Sequence, residues 1–221
     1  MAELVKITSS TAEFTGRFDR PYVGLIADDR APVFEEVIEA LLAFKFRLAN
    51  AEVISVGPLT DHKVIFRNPE KGVTFQFGAE EYTYSNDQSS WNNAEEDLQV
   101  LVAAEGALLK ASGAKVGSCL VRLFLHMQPI AKTREQILES FVPTPFEALV
   151  RQRQALSFGS HLRLIDGDLL LDFSNVVANG IFLRLTSEFI NKPPLADILA
   201  KVRGDQKTVF GILDIEDVNN G

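Results

Sequence analysis

The chain has 221 residues, 46% of them apolar and 24% charged; at about 1.5 times a typical ~150-residue domain, it admits one large domain or two closely packed halves and excludes a disordered or fibrous chain. With 22 basic and 30 acidic residues the net charge is −8, and no basic block stands out, which argues against a nucleic-acid or anionic-membrane partner. One cysteine precludes an intrachain disulfide, the start MAELVKITSS lacks the regions of a secretory signal, and apolar runs such as 40–44 and 100–104 fall far short of the roughly 20 residues that span a bilayer. The expectation is a cytoplasmic protein with no membrane span.

In chain order, residues 1–19 are mixed and polar, with a short strand expected over 14–18. The apolar run 22–26 after Arg20-Pro21 reads as a buried strand closed by Asp28-Asp29-Arg30. Pro32 suits a first helical position, Glu35 and Glu36 suit the positive end of the helix dipole, and Val33, Val37, Leu41, Phe44 and Leu48 recur at helical spacing, so a helix is expected over 32–49. Short β-branched and aromatic runs at 53–56, 62–67, 73–77 and 81–85, separated by Gly57-Pro58, Asn68-Pro69 and Gly78, read as an antiparallel meander. Asn92-Asn93 offers a helix cap, Glu95, Glu96 and Asp97 fill the first turn, and Gly113 suits a left-handed stop after Ser112.

The order then repeats. A strand is expected over 118–127, a helix over 133–141, a proline-started segment over 143–154, strands over 155–165, 169–173 and 180–190 with a turn at Asp166-Gly167, and a helix from Pro193-Pro194 to Val202 stopped by Gly204. The tail 207–215 (KTVFGILDI) suits an added edge strand. The expected fold is α+β: two similar strand–helix–meander–helix halves, 1–116 and 117–221, packed as one unit and sharing one mostly antiparallel sheet with helices on one face. The same element order is found in the saddle of the TATA-binding-protein type, whose role needs a basic face that this charge balance does not supply. The first half carries 11 basic and 18 acidic residues and the second 11 and 12, so an anion-binding face belongs in the second.

Catalytic fingerprints are missing. No HExxH, HxH or cysteine pair exists among His62, His126, His161 and Cys119, and GxSxG, GxGxxG and GxxxxGK[ST] are absent too, so neither catalytic residues, a metal site nor a cofactor is expected. Cys119 and His126 lie an odd number of residues apart in one strand, hence on opposite faces, and form no thiolate–imidazole dyad. Strand parity does gather one constellation: Arg122 and His126, then Arg163, Asp172 and Arg184, on the sheet face away from the helices. That face suits an anionic ligand or an acidic segment of a partner; the bland reading is a solvated face with cross-strand ion pairs. The helix near 93–112 is apolar nearly all round, which implies cover on more than one side, and its Glu105 reads as a boundary carboxylate reaching solvent. Asp28 and Asp29 read as helix-start residues rather than a cation site.

The stretch VTFQFGAEEYTYSNDQSSW with its acidic helix, then VRLFLHMQPI, then REQILESFVPTP, together spanning about residues 70–146, resembles a sporadically distributed, uncharacterised prokaryotic family of similar length. Where that family carries a Gly-Leu-Arg-Tyr-type segment this chain has Val121-Arg122-Leu123-Phe124, so Arg122 alone corresponds. The resemblance implies a fold and no activity. The functional expectation is therefore a self-associating binding or assembly module, a homo-oligomer or bound to a protein partner and without nucleic acid or membrane; the alternative is a small-molecule protein or enzyme using Arg122, His126, Arg163, Asp172 and Arg184.

Overall fold

The computed structural model describes residues 2–25, 31–58, 61–88, 94–139 and 160–218. Ten strands form one large, mostly antiparallel sheet: β1 (Glu3–Phe18), β2 (Ala51–Ile54), β3 (Lys63–Asn68), β4 (Val73–Gly78), β5 (Glu81–Asn86), β6 (Val116–Pro129), β7 (Ser160–Leu164), β8 (Gly167–Phe173), β9 (Ile181–Ile190) and β10 (Ile215–Asp217). Among the described residues four helices accompany them: α1 (Ala31–Leu42), α2 (Ala94–Ser112), α3 (Arg134–Glu139) and α4 (Leu195–Ile212). The sheet order is β2-β3-β4-β5-β1-β6-β9-β8-β7, and β10 pairs in parallel with the start of β1. No helix among the described residues is long and apolar enough to cross a membrane.

By compactness the chain divides into two units, Thr11–Val121 with Glu188–Leu199, and Met1–Ser10 with Arg122–Ser187 and Ala200–Gly221. In the first, β4 and β5 alternate buried and part-exposed side chains while β3 buries Val64, Ile65 and Phe66 in succession, and Phe66, Phe75, Phe77, Tyr82 and Tyr84 enter the core. Phe34 of α1 meets Phe66 with ring centroids 5.1 Å apart. In the second, Leu169, Leu171, Leu183, Leu185, Leu123 and Leu125 are buried, as are Val202 and Val209 of α4. Glu3 is buried here, and one of its carboxylate oxygens accepts the N–H groups of Ile130, Ala131 and Lys132 at 3.1, 2.7 and 2.9 Å. Burial alone would raise its pKa, yet these three donors outweigh it and hold the carboxyl below its usual value. Thr133 and Gln136 then cap α3 reciprocally, each side chain accepting the other's backbone N–H.

Several elements differ from expectation. Residues 23–25 form a 3-10 turn, not a buried strand, and Val23 is half exposed; the strand is β1, 16 residues long. It was hidden because its buried set changes parity, from Glu3 and Val5 to Ala12, Phe14, Gly16 and Phe18. Helix α1 stops at Leu42 because Lys45 adopts a left-handed conformation (φ 67°), and Phe46 then turns into the core. Gly204 does not end α4: the buried stripe Ile198, Val202, Gln206, Val209 runs through it, and burying that face outweighs the roughly 1 kcal/mol cost of a helical glycine. The tail therefore stays helical to Ile212, and only Ile215–Asp217 is strand, added to β1 within the fold. The β7–β8 turn is Ile165-Asp166, one residue earlier than expected, because Leu164 pairs with Gly167. A Cβ on Gly167 would lie 1.9 Å from the Thr186 carbonyl oxygen, so only glycine fits there. The expected cap Asn92-Asn93, the Asp28-Asp29-Arg30 exit and the segment 143–154 lie outside the described residues.

Candidate functional site

The unit that holds β7, β8 and most of β9 sets one parity of residues toward α4 and the other away from it. Register fixes the second set: Arg163 opposes Asp168, which opposes Thr186; His161 opposes Leu170, which opposes Arg184; Asp172 opposes Phe182. On β6 the half-buried positions Arg122, Phe124 and His126 alternate with buried Val121, Leu123, Leu125 and Met127. Phe182 stacks on Phe124 (centroids 6.4 Å) and touches His126 (4.9 Å), which places β6 side chains on the same face. Arg122, His126, Arg163, Asp172 and Arg184 thus share it.

Their chemistry is uneven. Asp168, 14% exposed, anchors the face: its Oδ1 accepts Arg184 Nη2 at 3.0 Å and Thr186 Oγ1 at 3.2 Å, with His161 Nε2 at 3.8 Å. Arg184 Nε is buried and has no hydrogen-bond partner, a cost of roughly 1–3 kcal/mol for an unsatisfied donor. Asp172 turns its carboxylate to the N–H of Phe173. Asp168, Phe124 and Phe182 were not singled out from the sequence, although Asp168 has the same strand parity as Asp172 and was readable by the same rule.

His126 holds a defined tautomer. Ser174 Oγ accepts the N–H groups of Val176 and Val177 at 3.1 and 2.8 Å, which occupies both its lone pairs. Its hydroxyl proton is left to donate to His126 Nδ1 at 2.9 Å, so Nε2 carries the imidazole proton. Burial lowers the His126 pKa further from its ordinary value, favouring this neutral form. His126 is therefore a neutral N–H donor against the Phe182 ring, with the Ser174 hydroxyl on its other nitrogen.

A second polar group sits in the other unit. Helix α2 buries Asp97, Leu101, Ala104, Glu105 and Leu108 as one stripe. Asp97 accepts Tyr84 Oη at 2.7 Å and Asn86 Nδ2 at 2.6 Å, while Glu105 accepts both Tyr82 Oη and Lys192 Nζ. Glu105 is thus buried and paired, contrary to the expected boundary carboxylate: its partner Lys192 arrives from 87 residues away, a contact no local pattern announces. Burial, with the carboxylate alongside, pushes the Tyr82 hydroxyl well above its usual range. Cys119 is core; burial pushes its thiol up to about 11, against the opposing pull of Lys192.

An apolar cavity of about 220 Å³ lies between α4 and the edge of the β7–β9 ladder, lined by Leu162, Leu164, Leu169, Leu185, Val209 and Ile212. At its rim Lys201 Nζ pairs with Asp166 (2.9 Å) and Asp205 (2.8 Å). Among the described residues, no three His, Cys, Asp or Glu side chains are grouped to hold a metal ion. No protein-family profile matches the chain. No curated protein sequence matches it significantly.

Proposed function

We propose that this chain is a non-catalytic binding module that holds an anionic ligand carrying a ring, a carboxylate or phosphate ester, on the sheet face bearing Arg122, His126 and Arg184. The observation that carries the reading is convergence: three arginines, a neutral imidazole donor and the Phe124–Phe182 stack share one face, where Asp168 is committed to Arg184 and Asp172 to its own backbone neighbour. Guanidinium groups bind carboxylate and phosphate in two-pronged fashion, and ring faces add stacking. The unpartnered Arg184 Nε supports it as well, since a shift of that guanidinium toward a ligand would free the donor from its buried position. Thermal shift and calorimetry with benzoate, a nucleoside monophosphate, acetate and inorganic phosphate test this. A ligand at 100 times its Kd adds about 2.7 kcal/mol of stability, and the ring-bearing anions should lead. No shift from any of the four, or an equal shift in Arg122→Ser and Arg184→Gln, refutes the site.

Self-association belongs to the same reading. It is supported by β7, the end strand of the sheet among the described residues, of which every residue after Ser160 is exposed, including Leu162 at 54% and Leu164 at 41%. Internal duplication is supported by topology: β1 and β6 are neighbours, each beside the last strand of the meander that follows it, β5 and β9. The acidic charge favours a small anion or an acidic peptide over a polynucleotide, and a cytoplasmic setting accords with the composition.

A further inference from the structure

We propose that copies of this chain join edge to edge, with β7 of one copy pairing against β2 of the next. The proposal rests on the self-association reading and names its surface. Among the described residues the two strands end the sheet order, and both leave apolar side chains exposed. On β7, Leu162 and Leu164 point to the side of α4 because their partners are Leu169 and Gly167, while His161 and Arg163 point to the other face. An added strand therefore needs apolar residues on the helix side and an acidic residue on the other.

Strand β2 has that pattern. Ala51 and Val53 pair with Phe66 and Val64, whose side chains are core, so they lie on the helix side, and Val53 is 43% exposed. Glu52, opposite Ile65, lies on the other face and is exposed; its Oε2 accepts Arg67 Nη1 at 2.6 Å, so the carboxylate would be shared between Arg67 and the incoming strand. Setting Glu52 of one copy opposite Arg163 of the next brings Ala51 and Val53 alongside Leu162 and Leu164, over the 220 Å³ cavity by Ile212. In this register the apolar side chains of the two strands fall together and the charged ones fall together.

Charge selects this pairing over the symmetric ones. Antiparallel pairing of β7 with itself sets Arg163 against Arg163 or His161, and β2 with itself sets Glu52 against Glu52 or apolar Ile54; like charges directly opposed are destabilising. A β7–β2 contact is head to tail and leaves one β7 and one β2 edge for further copies at the ends of an open assembly, so association should grow stepwise with concentration. The ladder is short, four residues on β2, so affinity is low and the effect is read at high protein concentration.

Analytical ultracentrifugation over a wide concentration series tests it on the full chain, with Arg163→Glu, Glu52→Arg and the double variant carrying both. Both sites are exposed, and melting curves check that the variants fold as the parent does. The expected result is stepwise association of the parent, weakening by tenfold or more in each single variant, and recovery in the double variant. A parent that stays monomeric throughout overturns self-association and this interface together. Association that is unchanged in the single variants, or not recovered in the double, overturns the β7–β2 contact while leaving self-association standing.

Discussion

Replacing Lys192 by Met removes the ammonium from a carboxylate that has almost no access to water: the Glu105 side chain is 7% exposed and that of Lys192 18%. Deleting one member of a buried pair typically costs 3–5 kcal/mol, because a lone charge is left in a poorly polarisable interior. Here the Tyr82 hydroxyl still donates to Glu105, which keeps the loss at the lower end of that range. The expected loss is therefore about 3 kcal/mol at pH 7, read by urea unfolding with an unchanged slope. In a chain of this size it lowers Tm by roughly 6–12 °C. Adding Glu105→Gln to Lys192→Met removes the stranded charge and should recover most of the loss. A single variant within about 1 kcal/mol of the parent, or a double variant no more stable than the single, refutes the account of Glu105 as a buried charge neutralised by Lys192.

His126 is held neutral, with its pKa below the ordinary 6.5, so the unfolded chain takes up a proton before the folded one does. Its share of stability is complete above 6.5 and is lost as pH falls through the folded value; in His126→Phe, stability measured between pH 7 and 5 should fall less steeply, and an unchanged slope counts against burial holding the imidazole neutral. Gly167→Ala forces a Cβ into the Thr186 carbonyl at a positive φ of 158°, which should cost about 3 kcal/mol or more by thermal unfolding, and a loss under 1 kcal/mol would refute the close approach. Glu3→Gln removes the charge from three donated N–H bonds and should cost about 2 kcal/mol at pH 7. Because the folded Glu3 carboxyl sits low, that stability is present above the unfolded carboxyl's pKa and disappears on acidification; parent and variant converging in acid, by circular dichroism, checks it.

What the sequence made legible follows from the range over which each signal acts. The meander strands β4 and β5 alternate because one face is packed and the other is not, and β3 is a short β-branched and aromatic run that buries Val64, Ile65 and Phe66 in succession, so 62–67, 73–77 and 81–85 were readable to within a residue. The shared face of Arg122, His126, Arg163, Asp172 and Arg184 was readable because parity within a strand is local. Strand β1 was legible only over 14–18, since its change of buried parity erases over the rest the period that marks a strand. Helix α4 was cut short by giving Gly204 more weight than the stripe running past it. The choice of Asp168 as the anchor of Arg184, and of Lys192 as the partner of Glu105, depends on which strands neighbour which, a property of the assembled sheet rather than of any window of residues.

The buried Cys119 has a practical meaning for the experiments above. With its thiol pushed up to about 11 and its side chain enclosed, the native protein presents no reactive sulfur at neutral pH. A cysteine placed at fully exposed Ile165, beside β7, would then be the only group that takes a maleimide dye, and the wild-type chain serves as its own unlabelled blank.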